Sequence, residues 1–145
     1  MRIAAALFAF LLPLAAFAAT PAEEKAFVDA YRKAYEGKDA KGLSALLYTK
    51  GADPKALEFY TMMMTDGMGS KISSIELKAL DDDDRKRASA TMPGPDGKNL
   101  KLTLAPVKKL VIRKTTKDAS GSSSSTSSVF VAESGGKLVI PVPGK

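Results

Sequence analysis

The segment that most constrains the fold is Thr20–Gly37, which reads TPAEEKAFVDAYRKAYEG. Phe27, Tyr31 and Tyr35 recur within it every four residues, which places three aromatic rings on one face of an α-helix. That face has to be buried, because large apolar side chains gain free energy on leaving water. The rest of the chain must therefore supply a surface that covers this helix.

Local signals predict that this helix is the first of three. Thr20 stands three residues before Glu23, which is the spacing of a helix capping box. Asp39 is a second candidate N-cap, and Asp53, directly before Pro54, is a third. The three predicted helices end at Gly37, within residues 48–51, and at Gly67 or Gly69.

After the third helix the pattern changes to an alternation of apolar and polar residues. It predicts strands over residues 72–80, 86–92, 100–104, 108–116, 129–133 and 137–142. The alternation directs Ile75 and Leu102 toward the core and Glu76 and Lys101 toward water. Helices followed by a run of strands predict an α+β fold, with the N-terminal helices packed on an antiparallel sheet of about five to six strands.

Two polar stretches separate predicted strands. The run Asp81–Asp84 is predicted to be a solvated turn, since it lacks the alternating ligands and glycine of a calcium loop and is followed by the basic residues 85–87. Residues 120–128 are almost entirely serine and glycine, and they are predicted to form a flexible loop.

Residues 1–18 are predicted to be a signal peptide. Arg2 provides a positive start, Ile3–Leu12 form an apolar run, and Ala16-Phe17-Ala18 fits the small-x-small cleavage pattern. The alternative is a short transmembrane anchor, but no basic residue follows to stop transfer. We expect cleavage after Ala18, a single domain over residues 19–145 that is periplasmic or secreted, and no stable membrane span after cleavage.

The chain contains no cysteine, histidine or tryptophan. Disulfides, thiolate chemistry, histidine triads and histidine metal sites are therefore excluded on this chain, and we expect no metal and no cofactor. The net charge of +6 has two possible roles: it keeps the protein soluble, or it attracts the protein to an anionic envelope polymer. The latter would use a basic strand made of Lys108, Lys109, Arg113, Lys114 and Lys117. No nucleic-acid motif occurs, so no nucleic-acid partner is expected.

A family resemblance rests on the layout of residues 20–142. The capped aromatic helix, the Leu-rich segment after Gly37-Lys38-Asp39 and the final hairpin VFVAESGGKLVI resemble the nuclear transport factor 2-like superfamily. The resemblance is to small exported bacterial members similar to lumazine-binding-like domains of unknown function. Leu138 follows Lys137 where that hairpin usually carries tryptophan. The resemblance implies a curved sheet wrapped on helices into a cone with a pocket at one end, in a superfamily that includes isomerases, cyclases, dehydratases and non-catalytic binding domains.

The candidate ligand pocket lies between the first helix, the third helix and the concave face of the sheet. Its predicted lining is the aromatic and thioether side chains of these two helices: Tyr31, Tyr35, Phe59, Tyr60, Met63 and Met64. Such a lining would bind an apolar or aromatic small molecule, with tyrosine hydroxyls setting its orientation. The alternative is that the same side chains fill the core and leave no void. Because residues 62–64 are consecutive methionines, at least one of them should point away from the core.

The sequence predicts an exported non-catalytic binding or accessory domain, with two alternatives. A cone-type isomerase or cyclase would combine a tyrosine with a carboxylate as acid and base. Candidates for such a set are Tyr31, Tyr35, Tyr48 and Tyr60 with Asp29, Asp39 or Asp66. The predicted inward positions of the strands carry no carboxylate, which disfavours catalysis, so no catalytic residue is assigned. The second alternative is the surface protein that binds an anionic polymer.

Overall fold

The computed structural model describes residues 18–145. Of the predicted signal peptide, residues 1–17 lie outside the described residues. The helices are α1 (Pro21–Glu36), α2 (Ala40–Ser44), α3 (Pro54–Thr65) and α4 (Asp82–Ser89). The strands are β1 (Leu47–Tyr48), β2 (Ile72–Ala79), β3 (Met92–Pro93), β4 (Asn99–Leu102), β5 (Lys108–Asp118), β6 (Gly121–Ser134), β7 (Lys137–Pro141) and β8 (Pro143–Gly144). The predicted α+β class, with helices packed on a sheet, is confirmed.

The strands form two sheets. The larger has five strands in the order β1-β7-β6-β5-β2, and all its pairs are antiparallel except β1 with β7. That parallel pair joins Leu47 to Ile140 and Tyr48 to Pro141. The smaller sheet has three strands in the order β3-β4-β8, so the chain leaves the larger sheet after β7 and enters the smaller one at Pro143.

The helix α1 covers the larger sheet, as its sequence predicts. Thr20 and Glu23 form the complete capping box at its start. The side chains of Phe27, Tyr31 and Tyr35 are only 6%, 5% and 2% exposed, and the helix packs on β2 and β7. The core beneath is formed by apolar side chains of the central strands: Leu110, Ile112, Val131, Leu138 and Ile140. Burial of the aromatic face therefore joins α1 to strands that come late in the chain.

The prediction of a strand over residues 86–92 is wrong, because Asp82–Ser89 form a helix and only Met92–Pro93 pair as a strand. The carboxylate of Asp81 accepts a hydrogen bond from the amide of Asp84 at 2.8 Å, and that of Asp84 accepts one from the amide of Asp81 at 3.1 Å. This capping box satisfies donors at the helix start. The alternation in residues 86–92 rested mainly on two alanines, whose burial contributes little.

Three ion pairs with i,i+3 spacing run along α4, and pairs at this spacing support an exposed helix. They join Asp82 to Arg85, Asp83 to Lys86 and Asp84 to Arg87. The acidic run is therefore the first turn of a helix rather than the predicted solvated turn, and Asp84 is fully buried.

The prediction of a loop over residues 120–128 is also wrong, since the serines belong to β6. Residues 121–128 pair with β5 from Asp118 back to Val111, without a break in register. All eight are exposed, so they add little to the core. Backbone hydrogen bonds to β5 need no particular side chain, which explains how serine continues a strand whose other end is buried. The flexibility of the segment stays a prediction.

One boundary differs on a smaller scale. The second helix is only Ala40–Ser44, and Leu47 and Tyr48 that were predicted to continue it form β1. Ile75 is half-buried against the core and Glu76 is exposed, as predicted. In β4, Leu100 is 1% exposed and Leu102 is half-buried, whereas Lys101 is exposed, so the predicted alternation is found and Leu100 is its most buried position.

Candidate ligand-binding site

The helix α3 is fixed firmly at its start. The buried carboxylate of Asp53 accepts hydrogen bonds from the amides of Lys55 and Ala56 at 3.0 and 3.1 Å, and Pro54 occupies the first turn. The amide of Asp53 donates to the carbonyl of Pro143 at 2.9 Å, which ties the helix to β8. The cap sets the direction of α3 and with it the side chains that α3 presents to solvent.

Much of the apolar surface of α3 faces solvent. Phe59, Met62 and Met63 are 47%, 62% and 45% exposed, whereas Met64 is 4% exposed. The expectation that at least one of the three consecutive methionines points away from the core is confirmed. Exposed large apolar side chains grouped on one element are a common sign of a binding surface.

Four of the six predicted pocket residues meet at one place. Tyr31, Tyr35, Met63 and Met64 line a cavity of about 60 Å³, which is completed by Ile112, Lys114 and residues 127–129. The rings of Tyr31 and Tyr35 are stacked, with centroids 6.2 Å apart and planes 9° apart. Ligand pockets usually have volumes of about 300–1,000 Å³, so this cavity has room for a few waters at most.

Polar contacts hold Tyr35 in the core, and Tyr31 is buried beside it. The ammonium group of Lys114 lies 2.8 Å from the Tyr35 hydroxyl oxygen and 4.9 Å from the ring centroid. The Tyr35 hydroxyl donates to the carbonyl of Asp66 at 2.8 Å. Burial, and to a lesser extent the neighbouring Tyr35, raises the pKa of Tyr31 to about 12. The Tyr31 hydroxyl is therefore protonated at neutral pH and cannot act as a base there.

The other two predicted residues, Phe59 and Tyr60, line a separate cleft of about 400 Å³, which we name the α3–turn cleft. It lies between α3 and the turn that connects β3 to β4, and its walls are Ala56, Phe59, Tyr60, Met92, Pro93, Gly94, Pro95, Leu100 and Pro143. The rings of Phe59 and Tyr60 meet edge to face with centroids 6.4 Å apart. Burial raises the pKa of Tyr60, so its hydroxyl remains a hydrogen-bond donor at neutral pH.

Gly94 shapes the far wall of the α3–turn cleft. Its amide donates to the carbonyl of Lys98 at 2.6 Å, which closes the turn. A Cβ atom at this position would lie 2.7 Å from Cδ1 of Leu100, so a side chain here would displace the leucine that joins the cleft to the core. The close approach of the turn to Leu100 therefore favours glycine at this position.

A second, more open depression of about 540 Å³ lies at the other end of the exposed surface of α3. Its lining is Phe59, Met62, Met63, Thr65, Asp66 and Gly67. Phe59 belongs to both depressions, so one continuous apolar surface runs along α3 from the turn to Gly67. Asp66 contributes the single charged side chain among these lining residues.

The sequence prediction missed the contributions of Met92, Pro93, Pro95 and Pro143 to the α3–turn cleft. The Pro-Gly-Pro turn was visible in the sequence, and rigid turns of this kind often present apolar prolines to solvent. Nothing in the sequence indicated that this turn faces α3, because the contact depends on the pairing of β4 with β8.

The described residues offer little for acid–base or metal chemistry. Residues 18–145 hold no group of three or more carboxylates that could bind a metal ion. The fully buried carboxylate of Asp84 contacts Lys109 and Arg87. Lys109, helped by the amide of Asp81, holds the pKa of Asp84 well below its usual range, so this carboxylate is ionised and has no proton to donate. It lines neither depression on α3.

The predicted basic strand does not form one positive surface. Along β5 alternate side chains point to opposite faces of the sheet. Lys108 pairs with Glu24, Lys109 pairs with Asp81 and Asp84, and Lys114 contacts Tyr35. Arg113 and Lys117 are exposed. Three of the five cationic side chains of this strand therefore contact other groups of the same molecule.

Comparisons with known proteins add no assignment: no family model, no curated protein and no solved structure matches this chain. Within residues 18–145, none of the helices is both long enough and apolar enough to span a membrane.

Proposed function

We propose that this protein is an exported, non-catalytic binding domain that holds an apolar or aromatic small molecule in the α3–turn cleft. The observation that carries the proposal is the cleft itself, about 400 Å³ between α3 and the Pro93–Pro95 turn, with walls of aromatic, methionine and proline side chains. Its volume lies within the usual range for small-molecule sites.

The lining suits a ligand that is recognised mainly by burial of apolar surface. Phe59 is 47% exposed, and a ring or alkyl chain beside it would remove that surface from water at roughly 25 cal/mol per Å². Met92 can adapt its shape to different ligands. The Tyr60 hydroxyl, kept protonated by burial, would orient a ligand that carries an acceptor. Such a site needs neither a metal nor a cofactor.

The proposal includes export by a signal peptide that is cleaved after Ala18, on the basis of the Ala16-Phe17-Ala18 pattern. It also includes a relationship to the nuclear transport factor 2-like superfamily. This part of the proposal rests on the capped α1, the short α2 and the β6–β7 hairpin. A mature protein whose mass still includes residues 1–17 would contradict the export proposal.

The two alternatives receive less support. An isomerase would need a carboxylate with a raised pKa beside a tyrosine in the pocket. The buried carboxylate of Asp84 has the opposite shift and lies outside both depressions on α3. An anionic polymer would need a contiguous positive face, whereas Lys108 and Lys109 are held by Glu24 and Asp84.

Titration with the apolar dye Nile red tests the binding proposal. We expect saturable binding by the folded protein, weakened roughly tenfold by Phe59→Ala, which corresponds to about 1.4 kcal/mol of lost contact. Met62→Ala is the matched control, because Met62 lines only the open depression. Its affinity should stay within about twofold of the wild type. Absence of saturable binding, or equal losses in the two variants, would contradict the α3–turn cleft as the site.

A further inference from the structure

The amide nitrogen of Ala19 is held by a carboxylate from the far end of the chain. It donates a hydrogen bond to Oε1 of Glu133 at 2.6 Å, across a separation of 114 residues. Ala19 directly precedes Thr20, the N-cap of α1, and packs partly against the core, whereas Glu133 lies in β6. This contact joins the start of the first helix to the last hairpin.

The surroundings of this contact form a cleft of about 380 Å³, lined by Ala18, Ala19, Glu24, Val107, Lys108, Glu133 and Leu138. Three charged side chains therefore face the cleft: Glu24 from α1, Lys108 from β5 and Glu133 from β6. Lys108 is paired with Glu24. Among the ion pairs of residues 18–145, none supplies a cation to Glu133. Glu133 is half-buried, so its carboxylate lacks both full hydration and a cationic partner.

The predicted cleavage falls on the peptide bond to this same nitrogen. We propose that cleavage after Ala18 turns the Ala19 amide into an α-ammonium group that forms an ion pair with Glu133, so that maturation fastens the start of α1 to β6. This inference rests on the proposed cleavage site, which came from the residues before Ala19 and not from Glu133. One bond is hydrolysed by water, the carboxyl group leaves on Ala18, and the amine on Ala19 takes up a proton.

Three effects oppose the pair and are the weaker ones. The ammonium group of Lys108 lines the same cleft, but it is paired with Glu24. The N-terminus of α1 carries the positive end of the helix dipole, equivalent to about half a charge, which disfavours a cation nearby. Glu23 and Glu24 in the first turn offset that charge. Partial burial also disfavours the ammonium form. A full negative charge in direct contact at 2.6 Å outweighs these effects, because an opposite charge within about 4–6 Å shifts a pKa by about 1–3 units toward the charged form.

The pH dependence of the pair has a definite sign. An α-amino group has a pKa of about 7.7–8.0 when unperturbed, and contact with Glu133 raises it in the folded protein. A group whose folded-state pKa is raised contributes stability that is fully present below the unfolded value and lost as pH rises through the folded value. The melting temperature of the mature protein should therefore fall toward that of Glu133→Gln as pH increases from about 7 to about 10.

The test uses protein recovered after export from a bacterial host. Intact mass first establishes whether the chain starts at Ala19. Competitive acetylation with acetic anhydride at a series of pH values then gives the pKa of the α-amino group. The wild type is compared with Glu133→Gln and with Glu58→Gln, which removes the same charge from an exposed position on α3. A variant with one glycine inserted before Ala19 keeps Glu133 and moves the ammonium group away.

We expect the α-amino pKa of the wild type to exceed that of Glu133→Gln by about one unit, a tenfold difference in protonation, with Glu58→Gln unchanged. If Glu133→Gln does not fold, the glycine-extended protein should show the same drop. A chain that starts at Ala19 but has equal values in wild type, Glu133→Gln and the extended variant would overturn the ion pair alone. A chain that starts elsewhere would overturn the cleavage proposal and the inference together.

Discussion

The helices α1 and α3 have similar N-termini, but their apolar side chains are buried to different extents. Each has a polar N-cap, Thr20 or Asp53, followed by proline in the first turn. The aromatic face of α1 lies on β2 and β7 of the larger sheet and is closed. The helix α3 packs instead on α2 and the two-residue strand β8, and it leaves Phe59 about half exposed. The extent of the opposing surface, rather than the helix sequence, decides which apolar side chains are available to a ligand.

The largest expected effect comes from making one substitution in both helices. Phe27→Ala should lower the free energy of unfolding by about 3–5 kcal/mol, because Phe27 is 6% exposed and its removal leaves a cavity. Phe59→Ala should cost about 1 kcal/mol or less, because that ring is already 47% exposed. Urea unfolding of both variants measures the difference. Equal losses would mean that α3 is as closely covered as α1.

A methionine pair within α3 sharpens the comparison at single-residue spacing. Met64→Ala should cost about 2–5 kcal/mol, since Met64 is 4% exposed. Met62→Ala should change stability by about 0.5 kcal/mol or less, since Met62 is 62% exposed. The same urea titration applies. A large loss for Met62→Ala would show that the exposed surface of α3 is covered in solution, for example by a second copy of the chain.

The pKa of Tyr31 gives a pH-dependent test of how completely the aromatic face of α1 is buried. Burial raises the pKa of Tyr31 from 10.0 to about 12. Its neutral form is thus favoured by folding, and the associated stability is fully present below pH 10 and lost as the pH rises toward 12. Tyr31→Phe should remove this alkaline loss. Ultraviolet absorbance of tyrosinate in wild type and variant follows the titration, and ionisation of Tyr31 near pH 10 in the folded protein would refute its burial.

The smallest effect concerns the pair of strands β5 and β6, which is buried at one end and exposed to solvent at the other. Val131 is buried, whereas residues 121–128 are all exposed. Amides in the serine segment should exchange with solvent at least about tenfold faster than the amide of Val131, because local opening there exposes no apolar surface. Hydrogen exchange followed by NMR measures both ends. Equal protection would indicate that something covers the serine edge.

The parts of the fold that sequence predicts well have local causes. The capping box of Thr20 and the aromatic spacing of α1 lie within one segment, and both are found in the structure. The strand status of residues 121–128 was missed because the pairing partner, not the serine composition, determines it. In residues 86–92, a weak alternation of alanines was interpreted as a strand, although the Asp81–Asp84 capping signal was present directly before it. Competing local signals of this kind need to be weighed by the energy of each.

The candidate site was predicted in part. Sequence identified the side chains of α1 and α3, but it placed them around one cavity, whereas the structure separates Tyr31 and Tyr35 from Phe59 and Tyr60. The second wall of the α3–turn cleft includes Pro143, far along the chain, which reaches the cleft through β8. Such long-range pairing leaves no periodic signal in the sequence.

The central claim is that apolar ligands bind in the α3–turn cleft and not between α1 and the larger sheet. NMR of methyl-labelled methionines during titration with Nile red tests it directly, because Met92 lines the α3–turn cleft and Met64 lines the small cavity beside Tyr31. The account predicts that the Met92 methyl signal shifts saturably while the Met64 signal stays in place. A saturable shift of Met64 with no change at Met92 would contradict it.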